Sequence, residues 1–261
     1  MFHISSPVND WPRAVALLPA GYAVKAIDNV QMLDEAKRVN PGIKPILRHW
    51  YTTQQHFGGT IEENRQRARD FFATFIDGTF ANYAHNIDYI EEWNEYNANG
   101  HLDYEIYSRN RWVEAVTWVW SNEYRTLPEY RNIRLILANT AIGNDIPLAV
   151  AQTAAQHDAV LGYHPYWPVK NNQTPEDAWQ WYEGRWAAMD AAFRAQGITV
   201  EWALTEAGAV RYWGDWPNIG LDPNGGWKHP ECHAGSQGEY MLSISRFMGQ
   251  WAAWNRANGG G

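Results

Sequence analysis

The chain has one cysteine, Cys232, in 261 residues. No intrachain disulfide can brace the fold, and the redox compartment cannot be read from cysteine pairing. No run of about 18 apolar residues occurs, so a membrane-spanning helix is not expected. The N-terminus also lacks the charged-then-apolar pattern of a secretory signal. The expectation is therefore a cytoplasmic protein or a mature secreted one whose signal has been removed, with the second preferred. Basic residues are few: 21 Lys and Arg against 29 Asp and Glu leave a net charge of −8. Without a clustered basic face, a nucleic-acid partner is not expected. No repeat, low-complexity tract or linker interrupts the sequence, so residues 1–261 are expected to form one domain. The sequence says nothing about oligomeric state.

What the chain has in excess is aromatic surface: 16 Trp and 14 Tyr. Some of these must fill the core. Others suit a sugar-binding cleft, because the apolar C–H faces of pyranose rings stack on flat aromatic rings.

Short apolar runs alternate with longer segments of helical period, the pattern of βα units and a parallel sheet. Candidate strands are Phe2–Ser5, Tyr22–Asp28, Lys44–Trp50, Ile87–Trp93, Ile133–Asn139, Ala159–Tyr166 and Ile198–Glu206. Between them, helices are expected near Trp11–Leu18, Val30–Val39, Ser108–Tyr124 and Leu148–His157. The third strand leads to a helix whose start carries a capping box, Thr60 with Glu63, ahead of Ala68, Phe71, Phe72, Phe75 and Ile76 at helical spacing. Another helix is capped by Thr174, has Pro175 at its first position and ends at Gly197. A long loop, Ala207–Gly235, and a last helix from about Glu239 to Asn255 complete the chain. The expected fold is α/β, a TIM-type (β/α) barrel with seven strands recognised and the eighth missing or atypical. About 250 residues is the usual span of such a barrel.

In an α/β barrel the reacting groups stand at the C-terminal ends of strands. Two Glu residues do so here: Glu95 after the fourth strand and Glu206 at the end of the seventh. Paired carboxylates about 5–5.5 Å apart hydrolyse glycosides with retention, and about 6.5–9.5 Å apart with inversion. Glu91 and Glu92 are rivals to Glu95, with Glu91 on the same strand face but deeper. Glu201 sits near the bottom of its strand as a structural charge.

Trp93-Asn94-Glu95 resembles the Asn-Glu signature of the clan of retaining (β/α)-barrel glycosidases that includes cellulases, mannanases and xylosidases. In that clan the acid/base ends strand four and the nucleophile ends strand seven. The resemblance thus implies acid/base for Glu95 and nucleophile for Glu206, with a carbohydrate as substrate and no cofactor. It further implies that Asn94 binds the sugar 2-hydroxyl, that Tyr166 steadies the nucleophile and that His164 touches substrate or a catalytic carboxyl. Arg48, with Trp50 on a common face after strand three, would hold the nucleophile ionised, although the clan's Arg usually comes from an earlier strand. A surface ion pair is the alternative for Arg48. Trp50, Trp167 and Trp213 are candidate sugar platforms on the mouth loops.

His229, Glu231, Cys232 and His233 share the long loop, but their spacing fits no common zinc pattern and no metal is expected. Two other classes stay open: a non-catalytic carbohydrate-binding barrel and a metal-dependent hydrolase.

Overall fold

The computed structural model describes residues 2–4, 11–50, 59–76, 78–92, 102–140, 145–168, 184–205, 208–210 and 237–258. They divide into two compact units, 1–163 with 196–205 and 164–195 with 206–261.

The first unit is an α/β half-barrel, an all-parallel sheet curled about its inner face. Its strands are β1 (Phe2–Ile4), β2 (Ala23–Ile27), β3 (Lys44–Arg48), β4 (Tyr89–Glu91), β5 (Arg134–Thr140), β6 (Val160–Tyr163) and, after one intervening strand, β8 (Glu201–Leu204). They lie side by side in chain order, β1-β2-β3-β4-β5-β6-β8, and each neighbouring pair is parallel. These are the seven segments the sequence marks as strands. Among the described residues no eighth strand joins the sheet and β1 does not pair with β8.

Crossover helices explain both the order and the burial. A parallel neighbour can be reached only by a long return over one face, and a strand covered on both faces becomes apolar throughout. β5 shows this, with Leu135, Ile136 and Leu137 almost fully buried. On the inner face Ile46, Ile136 and Val160 pack together, with Ala23, Tyr89 and Ala203 against them.

Outside the sheet, α1 (Trp11–Ala16) and α2 (Val30–Val39) follow β1 and β2. Asn29 caps α2 by accepting from Met32 N–H, and Lys37 and Arg38 in its last turn complement the helix dipole. α3 (Ile61–Ala73) starts at the expected capping box: Thr60 N–H donates to Glu63 Oε2 at 2.6 Å, and Glu63 N–H donates to Thr60 Oγ1 at 3.2 Å. α5 (Leu102–Val119) runs into a π-helical turn, Trp120–Tyr124, and packs on α3 through aromatic pairs. Phe71 meets Trp112 edge-on at 6.0 Å, and Phe72 meets Trp120 at 5.1 Å. Between α3 and β4 lies α4 (Gly78–Tyr83) with a 3-10 turn, Ala84–Asn86. α6 (Leu148–Gln156) precedes β6.

The second unit holds β7 (Tyr166–Pro168), paired in parallel with β9 (Gly208–Val210), and two helices, α7 (Arg185–Ala195) and α8 (Gln237–Ala257). The ring of Trp186 meets that of Trp254 edge-on at 4.4 Å. The single run expected over Ala159–Tyr166 is two strands, because His164-Pro165 interrupts it. Pro165 has no N–H to give to a ladder. Among the described residues, no helix is long and apolar enough to cross a membrane.

Candidate functional site

Ligands of parallel sheets bind beyond the C-terminal ends of the strands. The two ends of this sheet differ sharply in chemistry. At the N-terminal end charges meet at the surface: Arg134 contacts Glu201 and Asp158, Tyr89 donates its hydroxyl to Glu201 at 3.3 Å, and Lys44 and Lys37 share Asp88. At the C-terminal end the polar side chains are enclosed. Arg48, Glu91, Glu92, Asn139, Thr140 and Thr205 are all buried, and Lys25 reaches up from mid-strand to join them. Such residues are rarely fully buried unless something holds them.

Lys25, Arg48 and Glu91 share the inner face, with Arg48 and Glu91 directly opposed in register. Lys25 Nζ lies 2.8 Å from Glu91 Oε1, and Arg48 Nη1 lies 3.7 Å from the same oxygen. Arg48 is only 4% exposed. Its ion pair is therefore interior, which corrects the surface alternative allowed by the sequence: β3 turns this residue inward. Among the described residues, Glu91 Oε2 is buried with no hydrogen-bond partner. Trp50, two residues on, is 57% exposed, with the Arg48 guanidinium 6.0 Å from its ring centre. The backbone there is held by Asp28, whose φ of 53° is left-handed. Its Oδ1 accepts from Trp50 N–H at 3.0 Å and meets His49 Nδ1 at 2.5 Å.

Glu92 points to the opposite face from Glu91, as the period of two requires. Its carboxylate accepts from the Trp112 indole N–H at 2.5 Å and from Ala138 N–H at 2.8 Å. One residue on from Ala138 in β5, Asn139 Oδ1 accepts from Thr205 Oγ1 at 2.9 Å.

Of the residues expected to form the site, Arg48 and Trp50 stand at the end of β3, and His164 is buried just past the end of β6. Tyr166 and Trp167 lie in β7, where only the backbone is described. Asn94, Glu95, Glu206 and Trp213 lie outside the described residues, as does the His229, Glu231, Cys232 and His233 cluster. Among the described residues no group of His, Cys, Asp and Glu is arranged to hold a metal ion.

Sequence reasoning missed Lys25, Asn139 and Thr205, and passed over Glu92 as a rival. Lys25 carried a signal: a lone charge inside Ala-Val-Lys-Ala-Ile, an otherwise apolar strand. Asn139 and Thr205 carried none, since polar residues at strand ends are ordinary.

No protein-family model matches the chain, and no curated protein matches it.

Proposed function

We propose that the protein is a retaining glycoside hydrolase acting on a β-linked poly- or oligosaccharide, built on a TIM-type (β/α) barrel. One observation carries the reading. The fourth and seventh strands of a sheet laid out in chain order, β4 and β8, continue their ladders to Glu92 and Thr205, three residues and one residue ahead of Glu95 and Glu206. Side chains that follow strand ends of such a sheet belong to the face where ligands bind.

Glu206, as carboxylate, attacks the anomeric carbon while Glu95 gives its proton to the leaving glycosidic oxygen. The C–O bond breaks and a glycosyl ester of Glu206 forms. Water then attacks the same carbon and gives its proton to Glu95, and the ester bond breaks to restore both groups. Asn94 binds the sugar 2-hydroxyl, Tyr166 steadies the nucleophile, His164 touches substrate or a catalytic carboxyl, and Trp50, Trp167 and Trp213 offer aromatic platforms. Arg48 lends positive charge to the nucleophile.

The test is turnover on a panel of polysaccharides and aryl glycosides, comparing the wild type with Glu206→Gly and Glu95→Gln. Loss of at least a thousandfold in Glu206→Gly, with partial recovery in azide as a glycosyl azide forms, is the expected result. Hydrolysis by Glu206→Gly near the wild-type rate would refute the assignment. A second reading, a sugar-binding barrel without turnover, draws on the absence of an eighth strand from the sheet among the described residues. Glycan binding by the wild type with no product released would favour it.

A further inference from the structure

The fourth and seventh strands of the sheet are linked at their C-terminal ends by a chain of buried polar contacts that the proposed chemistry does not use. It begins in α5, where Trp112 Nε1–H donates to Glu92 Oε2 at 2.5 Å. The other oxygen of Glu92 accepts from Ala138 N–H at 2.8 Å. Ala138 lies within β5 yet has φ of 57°, a left-handed conformation that a side chain with a Cβ disfavours. The β5–β6 register shifts here, between Leu137 and Thr140. Strain of this kind persists only where the surroundings over-determine it. Glu92 holds the N–H side of Ala138, and Thr140 Oγ1 donates to its carbonyl at 2.6 Å.

The next residue, Asn139, accepts from Thr205 Oγ1 at 2.9 Å, while Thr205 N–H donates to the Tyr163 carbonyl at 3.1 Å. Gly162 makes the room: a Cβ there would stand 2.0 Å from Asn139 Oδ1. Glu92, Trp112, Ala138, Asn139 and Thr205 are all fully buried.

We infer that Glu92 and Asn139 are positioning residues, which lock the end of β4 to the end of β8 through the strained bulge at Ala138 and so hold fixed the two strand ends that precede the proposed acid/base and nucleophile in the chain. This rests on the glycosidase reading above. The physical demand is tight, since retention and inversion differ by only about 1–4.5 Å in carboxylate separation. A misplacement of about 1 Å can cost roughly a hundredfold in rate.

Glu92→Gln, Asn139→Ala, Gly162→Ala and the double variant Asn139→Ala/Gly162→Ala test it. In Glu92→Gln the new amide NH2 must face either the Trp112 or the Ala138 N–H, so one of the two bonds is lost. Variants whose circular dichroism matches the wild type should lose tenfold or more in kcat with KM within about threefold. The double variant should lose less than the product of the two single losses, because removing the Asn139 side chain relieves the closest clash of a methyl group at position 162 and leaves only Ile136 Cγ2, at 3.0 Å, to give way. A kcat within twofold of wild type in the folded single variants, or a loss confined to KM, would overturn the inference. Multiplicative losses in the double variant would do the same.

If the wild type turns over no glycan, the glycosidase reading fails, and amide exchange still tests the link. In Glu92→Gln, exchange at the Thr205 N–H should accelerate tenfold or more. Unchanged exchange there would sink the proposed lock.

Discussion

The Lys25–Glu91–Arg48 cluster gives the sharpest stability test. Lys25 and Glu91 have no exposed side-chain surface, and their charged atoms stand 2.8 Å apart, with Arg48 at 3.7 Å. At an effective dielectric constant of about 20 these separations correspond to gross attractions of roughly 6 and 4 kcal/mol. Desolvation of the buried charges offsets most of that, and removing one member of such a pair typically costs about 3–5 kcal/mol. Glu91→Gln keeps the shape but takes the carboxylate from both cations. Lys25→Met takes one cation away and leaves Glu91 with Arg48. The glutamine variant should therefore lose about 3–5 kcal/mol, and the methionine variant less. For a chain of this size the first figure corresponds to a Tm lower by roughly 6–20 °C. Urea unfolding followed by tryptophan fluorescence and circular dichroism measures both variants. A loss below about 1 kcal/mol in Glu91→Gln, or a larger loss in Lys25→Met, would refute the reasoning.

Burial and then the Glu201 charge push the Tyr89 phenol up to about 12. Its folded pKa thus lies above the unfolded value of about 10, so its contribution to stability is complete below pH ~10 and is lost as pH rises towards 12. Tyr89→Phe should flatten that part of the alkaline unfolding curve, and an unaltered slope would contradict the assignment. Trp50 is more than half exposed, so Trp50→Ala should cost no more than about 1 kcal/mol in thermal unfolding. Its glycan affinity, measured by calorimetry, should fall several-fold; unchanged affinity would remove Trp50 from the site.

Local signals made much of the fold legible. Thr60 and Glu63 announced α3 because a capping box is a contact between residues three apart. Val30–Val39 was readable because its apolar positions recur at helical spacing before a change in pattern at Asn40. α4 was not readable: Gly78-Thr79-Phe80-Ala81-Asn82-Tyr83 has no apolar period, and Phe80 is held by packing against Phe75 and Tyr130. The bulge at Ala138 was equally hidden. Alanine carries no preference for a left-handed backbone, and the contacts that hold it there come from Glu92, 46 residues earlier, and from Thr140.

The sequence by itself determined the seven apolar runs, their alternation with helices and hence a parallel sheet in chain order, because burial on both faces writes itself into composition. It also marked which carboxylates follow the fourth and seventh runs. Only tertiary structure decided which charges are enclosed. Arg48 could have paired at the surface, and Glu91 and Glu92 are adjacent and chemically identical. The register of β3 on β4 turns Arg48 and Glu91 inward to Lys25, while α5 and β5 claim Glu92 on the other face. Those partners lie far apart along the chain, and the free energy of enclosing a charge depends on what the fold brings to it.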